Sequence, residues 1–187
     1  MKNYFKAFDF LPEHEVEKLL KLASIRKLNK FDFFVTEGHT CNEVAFLVSG
    51  TFRSFYVPDK GEEITYCIMF PNNFITAYTS FITEQPSQEN IQAITPAELL
   101  ILTKKDIDAL AKDHIQWMQF LKIMAEGQYL ELEKRIFQLQ RDSAIQRYTA
   151  LLKDHPQYIQ QVPLQYLASY LGISQRHLSR IRKGIIF

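Results

Sequence analysis

Ser174, Gln175, Arg176, His177, Ser179, Arg180, Arg182 and Lys183 crowd into one short run, SQRHLSRIRK, near the C-terminus. Each can donate a hydrogen bond, and none is an acid. Arginine grips guanine O6 and N7 with two parallel bonds, glutamine does the same to adenine, and serine, histidine or lysine can hold phosphate oxygens. Arg176, Arg180, Arg182 and Lys183 are also the only charged side chains after Asp154, in a chain whose net charge is just +1. The basic character is therefore local, as a nucleic-acid contact confined to one module requires. An ordinary helical hairpin with a solvated basic face would share the charge, so the burial pattern has to decide.

Two helices crossing at a tight turn must bury one stripe each. Across LQYLASYLGISQRHLSRIRK, Leu164 to Lys183, the stripe is Leu167, Leu171, Ile173, Leu178 and Ile181. Ala168 is small where the helices approach, and Gly172 can take the turn conformation that a side chain resists. These are the demands of a helix-turn-helix, and the polar positions all fall outside the stripe. Only IIF follows Gly184, and the connector 155–163, bracketed by Pro156 and Pro163, is too short for a long hairpin. The flanking wing of such a domain is expected to be reduced.

Upstream, SAIQRYTALLKD (143–154) reads as a helix, and a longer helical run extends from about His114 to Gln140 with only Gly127 as a weak residue. Within it Met118, Leu121, Ala125, Gln128, Leu132, Arg135 and Leu139 follow a heptad spacing, which favours a homodimer through this helix. The interface expected is Met118, Leu121, Ala125, Gln128, Leu132 and Leu139. Gln128 and Arg135 are polar for such a seam. A second row, Phe120, Ile123, Leu130 and Phe137, faces another way.

Ahead of these helices, Ile25–Thr103 carries short β-branched and aromatic runs, FDFFVTEG, VAFLVSG, TFRSFYV, ITYCIMF, IQAI and LLILT, separated by turns and without intervening helices. This predicts an antiparallel β-roll or barrel. A short leading helix is predicted over 12–23, where Val16, Leu19, Leu20 and Ala23 share a face behind Pro12.

Cys41 and Cys67 are the two cysteines. They are too few and too far apart for a disulfide framework, a zinc site or a four-cysteine iron–sulfur centre. His39 alone lies within the roll, so the histidine-rich metal site of a cupin-like enzyme cannot be assembled there. Glycine-flanked serine elbows, phosphate-cradling loops and HExxH helices are missing as well. Neither catalysis, nor a cofactor, nor a metal is expected. The N-terminus has an acidic amphipathic run in place of a signal peptide, and no long apolar segment occurs, so a cytoplasmic protein without membrane contact is expected.

The order β-roll, long helix, helix-turn-helix resembles the CRP/FNR family of bacterial transcription regulators. The likeness lies in YLASYLGISQRHLSRIRK and in GHTCNEVAFLVSGTFRSFY (38–56), which is similar to the glycine-bounded strand pair of the cyclic-nucleotide-binding roll. The resemblance implies an α+β fold with an antiparallel sensor roll at 1–112, a dimerisation helix at 113–140 and a DNA-binding helix-turn-helix at 141–187. It further implies double-stranded DNA with a near-palindromic operator as partner, half-sites roughly 34 Å apart, and RNA polymerase beside it. Gln175, Arg176 and Arg180 take the family's base-reading positions. Arg176 stands where many members carry glutamate, so a changed target sequence is expected.

The sensor departs from the family. Cyclic-nucleotide binders place a glutamate on the ribose hydroxyl and an Arg-Ser pair on the cyclic phosphate. Here the matching positions are Ala77, Ser87 and Gln88. A buried phosphate without its cation is strongly disfavoured, so cyclic AMP is not expected in the usual mode, and an effector, if there is one, is a different small molecule. Phe74, Tyr78, Phe81 and the PSQEN loop are candidate pocket residues. The alternative from another class is a small-molecule-binding roll whose helical C-terminus makes protein contacts instead of DNA contacts.

Overall fold

The computed structural model describes residues 1–59 and 61–184. The chain opens with α1 (Lys2–Phe5) and α2 (Glu13–Leu22), then runs through β1 (Ser24–Leu28), β2 (Phe33–Val35), β3 (Glu43–Ser49), β4 (Phe52–Tyr56), β5 (Ile64–Met69) and β6 (Phe74–Ile75). After α3 (Tyr78–Thr83) come β7 (Asn90–Ala93) and β8 (Ala97–Thr103). Six helices complete the described chain: α4 (Lys104–Asp113), α5 (Ile115–Arg141), α6 (Ala144–Asp154), α7 (Pro156–Gln161), α8 (Leu164–Tyr170) and α9 (Gln175–Gly184).

The strands pair antiparallel in two four-stranded sheets, ordered β1-β8-β3-β6 and β2-β7-β4-β5. Alternation along the strands turns Ala45, Leu47, Phe52, Ile75, Ile91, Ala93 and Leu99 into the space between the sheets. Gly50 closes the β3–β4 turn at φ +98, where a Cβ would lie 2.6 Å from the Ala97 Cβ and 2.7 Å from the Pro96 carbonyl. Only glycine fits there.

Outside the roll, α1, α2, α4 and the first half of α5 share a second core built on Phe5, Val16, Leu19, Leu110, Trp117 and Phe120. Glu15 is buried in it, accepting from Trp117 Nε1 at 3.1 Å and facing Lys18 at 2.8 Å and His114 at 3.0 Å. A third core holds the C-terminal helices and draws in Ile68 and Ile94 of the roll. The two ends of the molecule are packed together, not strung on a linker.

The expected α+β architecture is present, with two local differences. The strand region is interrupted by α3, whose TSFIT run carries β-forming residues but is closed by Glu84 in the left-handed region at φ 58. The connector after Pro156 is helical as α7, because proline is tolerated in a first helical turn. The expectation of a reduced wing rests on residues 185–187, outside the described residues. Among the described residues no helix is long and apolar enough to cross a membrane.

Candidate nucleic-acid interface and the cavity of the roll

Helix α8 ends in a Schellman turn. Gly172, at φ +67, donates its N–H to the Ser169 carbonyl at 2.9 Å, and Ile173 donates to Ala168 at 3.0 Å. Two residues later Ser174 caps α9, its hydroxyl accepting from the His177 N–H at 3.2 Å. Leu167, Ala168, Leu171, Leu178 and Ile181 are buried between the two helices, with Ile173 packed against them. At about 100° per residue, Gln175, Ser179, Lys183, Arg176 and Arg180 share one arc of about 140°. Gln175, Arg176, Arg180 and Lys183 are exposed on it, and Ser179 is half-buried. His177 lies at the flank. Arg182 turns back into the protein, donating to the Ile159 carbonyl at 2.9 Å. Ser174 and Arg182 therefore hold the helix, while the other residues present it.

The opposite face of this unit rests on the roll. Ser169 Oγ accepts from the Thr65 N–H at 2.9 Å and donates to the Glu63 carbonyl at 3.2 Å. Tyr158 donates its hydroxyl to the Ile68 carbonyl at 2.9 Å. Arg53, buried on β4, lies between two rings, its guanidinium 3.9 Å from the centroid of Phe55 and 3.8 Å from that of Tyr166. It donates to Gln92 Oε1 at 2.9 Å and pairs with the Glu63 carboxylate at 2.6 Å. Sequence reasoning passed over Arg53. A lone cation in the alternating run FRSFY was the available signal that the outer face of this strand is covered. From the other side Arg135 stacks on Tyr170 at 3.9 Å and donates to the Tyr170 carbonyl, and Arg147 donates to Leu171 O at 3.0 Å.

Helix α5 spans 27 residues. Trp117 and Phe120 point into the core, and Leu121 and Met124 pack beside them. Of the expected interface positions, Met118, Leu132 and Leu139 carry exposed side chains, Gln128 is exposed, Ala125 is half-buried, and Leu121 faces the core. Leu139 also borders the helix-turn-helix, 3.4 Å from where a Gly172 Cβ would stand. Arg135 is likewise taken up within the chain. The exposed row runs Met118, Lys122, Tyr129, Leu132, Ile136 and Leu139, with the half-buried Ala125 between Lys122 and Tyr129, and with Tyr129 64% and Ile136 52% exposed. Its intermediate members sit one residue later than the sequence row placed them. Phe120, assigned to the second row, is buried, whereas Leu130 and Phe137 of that row are exposed.

In the roll, Ala77 is the buried residue that opens α3, Ser87 is buried in the following loop, and Gln88 is exposed. Ser87 is occupied locally, donating to the Glu89 carbonyl at 2.8 Å and accepting from its N–H at 3.2 Å. Above them opens a cavity of about 450 Å³, bounded by α3, the α3–β7 loop and the ends of β4 and β5. The PSQEN loop contributes Pro86 to Glu89 to its lining, but Phe74, Tyr78 and Phe81 do not line it. Phe74 stacks on Tyr4 and Phe46 in the N-terminal core, and Phe81 lies under Lys104.

The aromatic rings that do line the cavity are Tyr56 and Tyr66, with centroids 6.4 Å apart. Tyr66 is the extra residue of a bulge, since Ser54 pairs with Cys67 and Phe55 with Thr65; such a bulge re-aims a side chain. Its hydroxyl donates to Glu89, whose carboxyl is raised above the usual range by burial, against the hydrogen bonds from Tyr66 and Ser54. Burial, with the charge of Glu89, pushes the Cys67 thiol up to about 11, so it is not a reactive thiol.

Residues 25–114 match the family model of the cyclic nucleotide-binding domain. Among solved structures, the chain is similar to FixK2 from Bradyrhizobium japonicum, with a TM-score of 0.77 and 16% identity over 87% of this chain and 84% of that one. It is also similar to the catabolite activator protein of Thermus thermophilus, with a TM-score of 0.62 and 22% identity over 95% and 85% of the two chains. A protein of the CRP/FNR family from Eubacterium rectale gives a TM-score of 0.73 at 17% identity over 97% and 87%. At these identities the likeness is one of fold. No curated protein sequence matches the chain.

Proposed function

We propose that this chain, with a cyclic nucleotide-binding-type domain at residues 25–114 and the fold of the CRP/FNR regulators, is a homodimeric, sequence-specific DNA-binding transcription regulator that acts without cyclic AMP. The observation that carries this reading is the arc of Gln175, Arg176, Ser179, Arg180 and Lys183 on α9, polar throughout and turned away from the core. A helix of ten residues is about 15 Å long and can lie in a major groove about 12 Å wide. Arg180, Arg176 and Gln175 read base edges; Lys183, Ser179 and His177 hold phosphates.

The exposed row on α5 supports the dimer. Tyr129, Leu132 and Ile136 are large apolar side chains uncovered in one copy, at the spacing by which two helices bury each other. The working division is a sensor at 1–112, a dimer helix at 113–140 and a DNA-binding unit at 141–187, acting in the cytoplasm with RNA polymerase as a further partner. Independence from cyclic AMP is supported by Ala77 and Ser87 at the two charged positions of the cassette, and by the Glu89 carboxylate on the cavity, which would repel a phosphate.

Selection of the ligand-free protein against random duplex DNA tests this reading, followed by titration of the enriched sequence at several salt concentrations with and without cyclic AMP. A near-palindrome should emerge, bound equally in both conditions, with log affinity falling by about 0.9 per neutralised phosphate against log salt. Failure to enrich any sequence, or binding that requires cyclic AMP, would overturn it.

A further inference from the structure

Resting on the reading of the roll as a sensor, we propose that its cavity binds an organic ammonium ligand, whose charge is met by the Glu89 carboxylate and by the rings of Tyr56 and Tyr66. Three features of the cavity carry this. Glu89 is the charged side chain on a lining that is otherwise hydroxyl, amide and aromatic apart from Pro86: Thr79, Ser80, Thr83, Gln85 and Gln88 beside the tyrosines. Tyr66 holds that carboxylate by a hydrogen bond from its hydroxyl, and among the described residues no cationic side chain pairs with it. A partly buried carboxylate without a counter-ion is unfavourable, and a bound cation relieves that cost.

The second feature is aromatic. Tyr56 and Tyr66 stand 6.4 Å apart at an interplanar angle of 43°, so a cation beside both lies within about 6 Å of each centroid, the range over which a ring face attracts positive charge. The third is size. About 450 Å³ falls within the range of sites that enclose a small organic molecule, whereas a bare metal ion would have one carboxylate and no other strong ligand. The same carboxylate disfavours a bound phosphate.

Calorimetric titration of the full chain, without DNA, decides the matter. The probes are choline and spermidine as quaternary and primary ammonium ligands, 3,3-dimethylbutan-1-ol as the uncharged isostere of choline, and cyclic AMP. At least one ammonium probe should bind about tenfold or more tightly than the isostere, and cyclic AMP should give no heat. Glu89→Gln preserves shape and should lose about tenfold in ammonium affinity. Tyr56→Leu, at the outer end of β4, should weaken it as well if the Gln variant folds poorly. Arg180→Ala should bind the ammonium as the parent does, so failure of the DNA reading leaves this test standing. Equal affinity for choline and its isostere with no binding of spermidine, binding of cyclic AMP, or an unchanged Glu89→Gln variant would each overturn the proposal.

Discussion

The outward arc of α9 and the cavity of the roll are both polar surfaces, but they are made in opposite ways. On α9 the outward cations Arg176, Arg180 and Lys183 lie within eight residues of sequence, stand exposed and point away from a helix that buries only Leu178 and Ile181. In the cavity a single carboxylate, Glu89, sits on a loop, and its companions on the lining, Tyr56, Tyr66 and Thr79, arrive from two strands and a helix. The exposed α9 cations cost little to solvate, because water reaches them on the outer arc. The Glu89 carboxylate is held by Tyr66 on a strand whose neighbouring residue, Thr65, bonds to Ser169 of the DNA-binding unit. One surface is made within a single helix, whereas the other is built on a strand that touches α8 one residue away from Tyr66.

The largest effect that separates the two regions is expected from Leu132→Asp. A carboxylate placed in the α5 seam of both copies should cost about 3 kcal/mol or more of association, giving monomers by light scattering. Operator binding should collapse because two α9 helices no longer act together, while ammonium binding by the roll persists. A variant that remains dimeric would move the interface off this row.

Next is Arg180→Ala, expected to lose about 1–3 kcal/mol of operator affinity and to relax specificity at one base pair. Unchanged affinity would sink the readout assigned to Arg180. Ser169→Ala removes the hydroxyl that bridges Thr65 and Glu63, and should lower stability by about 1 kcal/mol. If operator affinity shifts along with the thermal midpoint, the contact between roll and α8 matters to DNA binding. If only the midpoint moves, it serves packing.

The smallest effect is that of Glu89→Gln. Burial raises the folded-state pKa of this carboxyl, so the folded protein holds the proton more tightly than the unfolded chain. That contribution to stability is present below the unfolded carboxylate pKa and is lost as pH rises through the raised folded value. The glutamine variant, which cannot ionise, should therefore lose less stability than the parent as pH rises from acidic to neutral. An equal loss in parent and variant would mean that an unrecognised cation already compensates Glu89.

The sequence by itself determined the helix-turn-helix, because each of its constraints lies within twenty residues and follows the helical period. Leu167, Leu171, Leu178 and Ile181 must share a side, Gly172 must take the positive φ, and the cations are left outside. It also determined that strands precede helices. The tertiary structure decided the phase of the α5 row. A heptad row can be read through Leu121 and Arg135 or through Lys122 and Ile136, and the first pair is taken by the N-terminal helical core and by Tyr170. It also decided the cavity. Tyr56, Tyr66 and Glu89 meet only because β5 carries a bulge and pairs with β4, which in turn pairs with β7. Helical neighbours are fixed by the geometry of the chain itself, whereas cross-strand neighbours depend on a register that the whole roll must close to define.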